Sequence, residues 1–92
     1  MTDEPMQYPR KDEVLVVYHN YKDEVRERRI RPIRFWYGKT KLHPKPGWVC
    51  TATDLERGVE RDFSMAGFLA WGAEAVANYK ATQAALVVAA GG

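Results

Sequence analysis

Trp48-Val49-Cys50-Thr51-Ala52-Thr53-Asp54-Leu55-Glu56-Arg57-Gly58-Val59-Glu60-Arg61-Asp62-Phe63-Ser64-Met65 decides the fold. Trp48 to Leu55 reads as a strand. Glu56-Arg57-Gly58 reads as a tight turn, with Gly58 free to take positive φ. From Val59 to Met65 the chain alternates. Val59, Arg61, Phe63 and Met65 fall on one face, and Glu60, Asp62 and Ser64 on the other. A period of two over seven residues is the mark of a half-buried strand, so the stretch is a hairpin.

Working upstream, Gly38 to Gly47 carries two prolines between its glycines and reads as a loop. Val25 to Tyr37 is a second extended stretch. Ile30, then Ile33, Phe35 and Tyr37, keep two-residue spacing if Pro32 breaks the register. Proline cannot donate to a ladder, so Pro32 marks a bulge, bend or edge. Asn20 to Glu24 is turn-forming. Glu13 to His19 is β-branched and aromatic, and suits a strand buried on both faces.

Downstream, Ala66 to Ala90 holds ten alanines. Alanine is the best helix former, which predicts a helix from about Leu69 to Gln83. Leu69, Val76 and either Tyr79 or Lys80 lie near one stripe. The expected organisation is an arm over 1–12, a β-barrel over 13–68, and an alanine-rich helix and tail over 69–92. Four short strands with tight connections, then one helix, predict a mainly β, small antiparallel barrel with a C-terminal α-helix. Curling the sheet hides strand edges.

At 92 residues the chain has room for one domain. A domain this small buries only about 60–65% of its unfolded surface and gains from a partner subunit, so a homo-oligomer is expected. With one cysteine, Cys50, it forms no intrachain disulfide, which points to a reducing, cytoplasmic setting. No basic-then-apolar leader opens it, and its longest uncharged stretch, Ala81 to Gly92, is shorter than the about 20 apolar residues a membrane span needs.

The net charge of +2 is unevenly spread. Arg10 to Lys45 holds eleven Lys or Arg against five Asp or Glu, whereas Pro46 to Gly92 holds three against five. Arg26, Arg28, Arg29, Arg31 and Arg34 concentrate the positive charge. Such a stretch draws phosphates or carboxylates, or it is a solvated strand face paired with Asp23, Glu24 and Glu27.

Catalytic motifs are lacking: there is no glycine-rich phosphate loop and no nucleophile elbow. Cys50, His19 and His43 match no zinc spacing. A Cys50–His19 nucleophile pair would need neighbouring strands and an exposed thiol. No enzyme activity, metal or cofactor is expected. The eleven aromatics exceed what a small core absorbs. Trp36 and Tyr37 lie beside the arginine stretch, and rings interleaved with basic groups bind single-stranded nucleic acid by stacking and phosphate contact. They also suit barrel packing.

The strand segments resemble the WYL domain, a small bacterial ligand-sensing module with an SH3-like or Sm-like barrel. The residues that carry the likeness are Val16-Val17-Tyr18, the Arg29-x-x-Pro32 segment, Trp48-Val49-Cys50-Thr51-Ala52 and Arg61-x-Phe63. The likeness covers roughly Val14 to Phe68. Of the tripeptide that names the family, only the tryptophan is present. Either Arg28 or Arg29 serves for the second-strand arginine. The loop from Trp36 to Pro46 is longer than the family's usual turn, as in a branch of short stand-alone bacterial and phage proteins. The chain has no room for the helix-turn-helix domain of the family's transcription regulators.

The resemblance implies an arginine-bearing face that binds a negatively charged ligand, nucleic acid or a nucleotide. Carried over by position, it uses Arg29, Arg61 and Tyr18, with Trp48 as a platform. Independently, Arg61 sits on the apolar face of its strand with Val59 and Phe63, where a guanidinium needs an acid or a ligand. The expectation is a non-enzymatic binding module: Arg29 and Arg61 on phosphate, Tyr18 or Trp36 stacking. The alternative is a self-assembly subunit that packs through its alanine-rich helix.

Overall fold

The computed structural model describes the backbone of residues 12–91 and the side chains of residues 12–86. The expected arm over 1–12 thus lies, but for residue 12, outside the described residues, as do the side chains of the closing tail.

Among the described residues five strands form one antiparallel sheet: β1 (Val14–His19), β2 (Val25–Gly38), β3 (Gly47–Asp54), β4 (Val59–Ser64) and β5 (Phe68–Trp71). Their order is β4-β3-β2-β1-β5. A single 3-10 turn, Met65–Gly67, leads from β4 into β5, and one helix, α1 (Ala73–Gly91), follows. Pro32 acts as expected: the β2–β3 register shifts between Pro32 and Arg34. Gly58 takes φ +71° in the β3–β4 turn.

One expectation is corrected and one is met in part. Residues 68–71 are strand, not the first turn of the helix. Phe68-Leu69-Ala70-Trp71 pairs with the otherwise free edge of β1, and α1 begins only after Gly72, at φ +101°. Tertiary pairing overrides local alanine propensity here. The sheet, moreover, is open: among the described residues β4 and β5 do not pair with each other.

The open sheet is nevertheless curled. The Ser64 N–H of β4 donates to Tyr18 Oη of β1 at 2.9 Å. In a flat sheet these strands would stand three spacings apart, roughly 14 Å, beyond the reach of a tyrosine. Tyr18 also meets Phe63 of β4 edge-on, with ring centroids 5.0 Å apart.

Register sorts the side chains into two faces. Val16, Tyr18, Ile30, Cys50, Ala52 and Phe63 fill the concave face, with Val14, Met65 and Phe68 packed on them. Val17, Ala70 and Val76 form a smaller cluster on the other side, where Leu15, Ala75 and Tyr79 seat the first turns of α1. Each large apolar side chain buried this way contributes about 1.5–3 kcal/mol. Residues 80–86 of α1 are exposed. No helix among the described residues is long and apolar enough to cross a membrane.

Candidate functional site

Across β1 and β2 the pleat pairs Val14 with Ile30, Val16 with Arg28, and Tyr18 with Arg26. Val14, Val16 and Tyr18 belong to the concave face, so Arg26 and Arg28 do too. On β4, Arg61 pairs with the core residue Ala52 and shares that face. The curl brings Arg61 toward Tyr18 and the two β2 arginines.

A cavity of about 210 Å³ opens where they meet. Its cations are Lys22, Arg26, Arg28, Arg57 and Arg61, and its carboxylates are Glu24 and Asp62. Tyr18, Tyr21 and Phe63 supply rings, and Leu42 and His43 reach it from the β2–β3 loop.

Two turns place the outer groups. Asn20 Oδ1 accepts from the N–H groups of Lys22 and Glu24, at 2.9 and 3.0 Å, and holds the β1–β2 turn that carries Tyr21 and Lys22. Asp23 takes φ +66° there, a conformation that Asp tolerates better than most residues. Asp54, fully buried at the end of β3, accepts from the N–H groups of Glu56 and Arg57 through Oδ1 at 3.1 and 3.3 Å. That clamp fixes the turn presenting Arg57.

Three of the five cations already have acid neighbours. Arg28 Nη1 meets Glu56 Oε1 at 3.2 Å, Arg26 Nε lies 3.6 Å from Glu24 Oε1, and Arg61 Nη1 lies 4.0 Å from Asp54 Oδ2. That last oxygen is buried without a hydrogen bond among the described residues, so Arg61 is its nearest counter-charge. Lys22 and Arg57 have no carboxylate within ion-pair distance among the described residues, but Lys22 Nζ lies over the Tyr21 ring, 5.9 Å from its centroid, and its charge acts on Glu24. Asn20 and then Arg26 hold the Glu24 carboxyl below its usual range, so that acid stays charged. Burial raises the Tyr18 hydroxyl above its usual range, while the Ser64 hydrogen bond and then Arg61 pull it back in part.

Tyr18 and Arg61 thus meet at one cavity. Tyr18 is only 7% exposed and forms its wall; the exposed ring at the rim is Tyr21. Arg29 does not join them. It pairs with Leu15, on the opposite face toward α1, and Arg26 and Arg28 hold the positions near Arg61. Trp36 is also on the other face: its Nε1–H donates to Thr51 Oγ1 at 2.8 Å, and Thr51 Oγ1–H donates to Asp62 Oδ1 at 2.6 Å. Trp48, 58% exposed, packs edge-on against Tyr37 away from the cavity. Cys50 is buried in the core, and burial pushes its thiol up to about 11. His19 instead meets the Asp23 carboxylate at 2.5 Å.

Sequence reasoning passed over Lys22, Tyr21 and Arg57, which sit in turns where no periodicity marks a face. Arg26 and Arg28 did carry a signal: they share parity with Ile30, the apolar residue that identifies the core side. No family model, no curated protein and no solved structure matches this chain.

Proposed function

We propose that this protein is a non-enzymatic binding module for a phosphate-bearing ligand, single-stranded nucleic acid or a nucleotide. The observation that carries the reading is the convergence of five cationic side chains and three rings on one small cavity. At about 210 Å³ the cavity is below the about 300–1,000 Å³ of most small-molecule sites. It suits one phosphate and its neighbouring group, with the remainder of the ligand running over the open side. Arg26, Arg28, Arg57, Arg61 and Lys22 contact phosphate, and the exposed Tyr21 ring offers a stacking face.

The return of β5 to β1 through a 3-10 turn, together with the curl, supports reading the sheet as a partly open SH3-like or Sm-like barrel of the WYL kind; a cytoplasmic setting rests on the lone cysteine, Cys50.

The test is fluorescence anisotropy with a labelled single-stranded oligonucleotide and with a nucleotide, at low and high salt. Binding that weakens as salt rises, and that Arg61→Ala reduces at least tenfold, is expected. Because Arg61 also faces buried Asp54, its melting temperature is measured alongside. No affinity for either probe at low salt overturns the reading.

A second reading, self-association, draws on the exposed run of α1 from Lys80 to Leu86. Light scattering that reports a multiple of the chain mass supports it, and a monomer at high concentration removes it.

A further inference from the structure

Resting on that functional reading, we infer that the ligand is a single-stranded nucleic acid several nucleotides long, whose bases stack on an aromatic track that leaves the cavity along the concave face. The inference comes from where register puts the exposed rings. Phe35 pairs with the core residue Cys50, Tyr37 with Trp48, and Trp71 with the core residue Val16, so these four rings share the face that bears the cavity. Phe35, Tyr37 and Trp48 are each more than half exposed, and Trp71 more than a third. Exposed rings gathered on one face mark a contact surface, whereas scattered ones need no explanation.

The track is continuous with the cavity. From Tyr18 in the cavity wall, ring centroids step 5.0 Å to Phe68, 5.0 Å to Trp71 and 6.1 Å to Phe35. Tyr37 follows Phe35 on the same strand face and packs edge-on against Trp48 at 5.4 Å. A stacked strand advances about 3.4 Å per nucleotide, so about three to four nucleotides span the path from the cavity to Phe35. Charge is sorted in the same sense. Among the described strand residues of this face, Arg26, Arg28 and Arg61 are the charged ones, apart from the fully buried Asp54. Glu27, Glu60 and Asp62 pair with Val17, Thr53 and Thr51 of the opposite face, though Asp62 also borders the cavity. A second copy laid on this face would bring the same cations. A nucleic acid strand answers the cations with phosphate and the rings with bases. A free nucleotide in the cavity would leave the rings bare.

Anisotropy of a labelled oligothymidylate bound to the whole protein would report its displacement by unlabelled thymidylates of one, two and four nucleotides and by an abasic strand of four. The tetranucleotide should compete at least about tenfold better than the mononucleotide, and the abasic strand should lose that gain. Phe35→Ala and Tyr37→Ala, both at exposed positions, should each flatten the rise with length, with Tm recorded to show that the variant is folded. A mononucleotide that competes as well as the tetranucleotide, an abasic strand that competes as well as the thymidylate, or a rise that persists in both folded variants overturns the track and leaves the cavity reading standing. A dimer in light scattering that Phe35→Ala disperses gives the face to a second copy and likewise overturns the track. Absence of binding to every probe removes both readings.

Discussion

Replacing Tyr18 with Phe deletes one oxygen and leaves the ring, and so tests the bond that ties β4 across the sheet to β1. In the native domain the Ser64 N–H donates to that oxygen at 2.9 Å, and Tyr18 is 7% exposed. A hydrogen bond of this kind contributes about 0.5–1.5 kcal/mol net, and stranding a buried N–H costs about 1–3 kcal/mol. Ser64 is half-buried, so water answers part of the loss, and about 1–2 kcal/mol is expected. In a domain of this size each kcal/mol lowers Tm by about 4–8 °C. Circular dichroism melts and urea titrations of both proteins measure the change. Ligand affinity should fall too, because Tyr18 walls the cavity between Arg26 and Arg61. A Tyr18→Phe protein with unchanged midpoint and unchanged affinity would refute the claim that this contact holds the curl.

Glu56→Gln releases Arg28 from its carboxylate at 3.2 Å; affinity for phosphate ligands should rise about threefold, on the scale of an exposed ion pair, and a titration showing weaker binding would contradict the competition between acid and ligand. At Gly67 an added Cβ would stand 2.7 Å from both the His19 carbonyl oxygen and Tyr18 Cε1. Gly67→Ala should therefore lower Tm by several degrees, as overpacking costs about 1–3 kcal/mol, and a stable Ala variant would show that the 3-10 turn yields freely. Cys50 and Tyr18 both hold their protons more tightly folded than unfolded. The unfolded chain ionises first, so stability should fall as pH rises from about 9 toward 11, while stability that is flat across that window would count against the burial of both groups. The native thiol should likewise resist alkylation near pH 8 until urea unfolds the domain.

The strands were legible because side-chain period and turn chemistry agreed. Val59 to Ser64 alternates cleanly, Gly58 closes its turn with positive φ, and Pro32 breaks the ladder where proline must. Strand β5 was not legible. Four residues before an alanine-rich run give propensity too little to oppose, and the edge that recruits them lies some fifty positions away on β1. The aromatic ends Phe68 and Trp71, with Gly72 behind them, were the available cue. The site divided the same way. Arg61 was readable because an arginine between Val59 and Phe63 on an apolar face needs an answer. Choosing among Arg26, Arg28 and Arg29 required the register, and Ile30 held that information through parity. Trp36 was ambiguous in principle, because an indole that donates to Thr51 and one that stacks on a base look alike in sequence.

The cavity walls come from residues 18–28, 42–43 and 57–63, which only the curled sheet assembles. Short peptides cut from any one of these segments would therefore be blind to the ligand. Recognition and folding form one equilibrium: a ligand at a hundred times its Kd would add about 2.7 kcal/mol to the domain's resistance to unfolding. If the proposed phosphate ligand is bound, a chain this small would spend more of its time unravelled, and exposed to proteases, whenever that ligand is scarce.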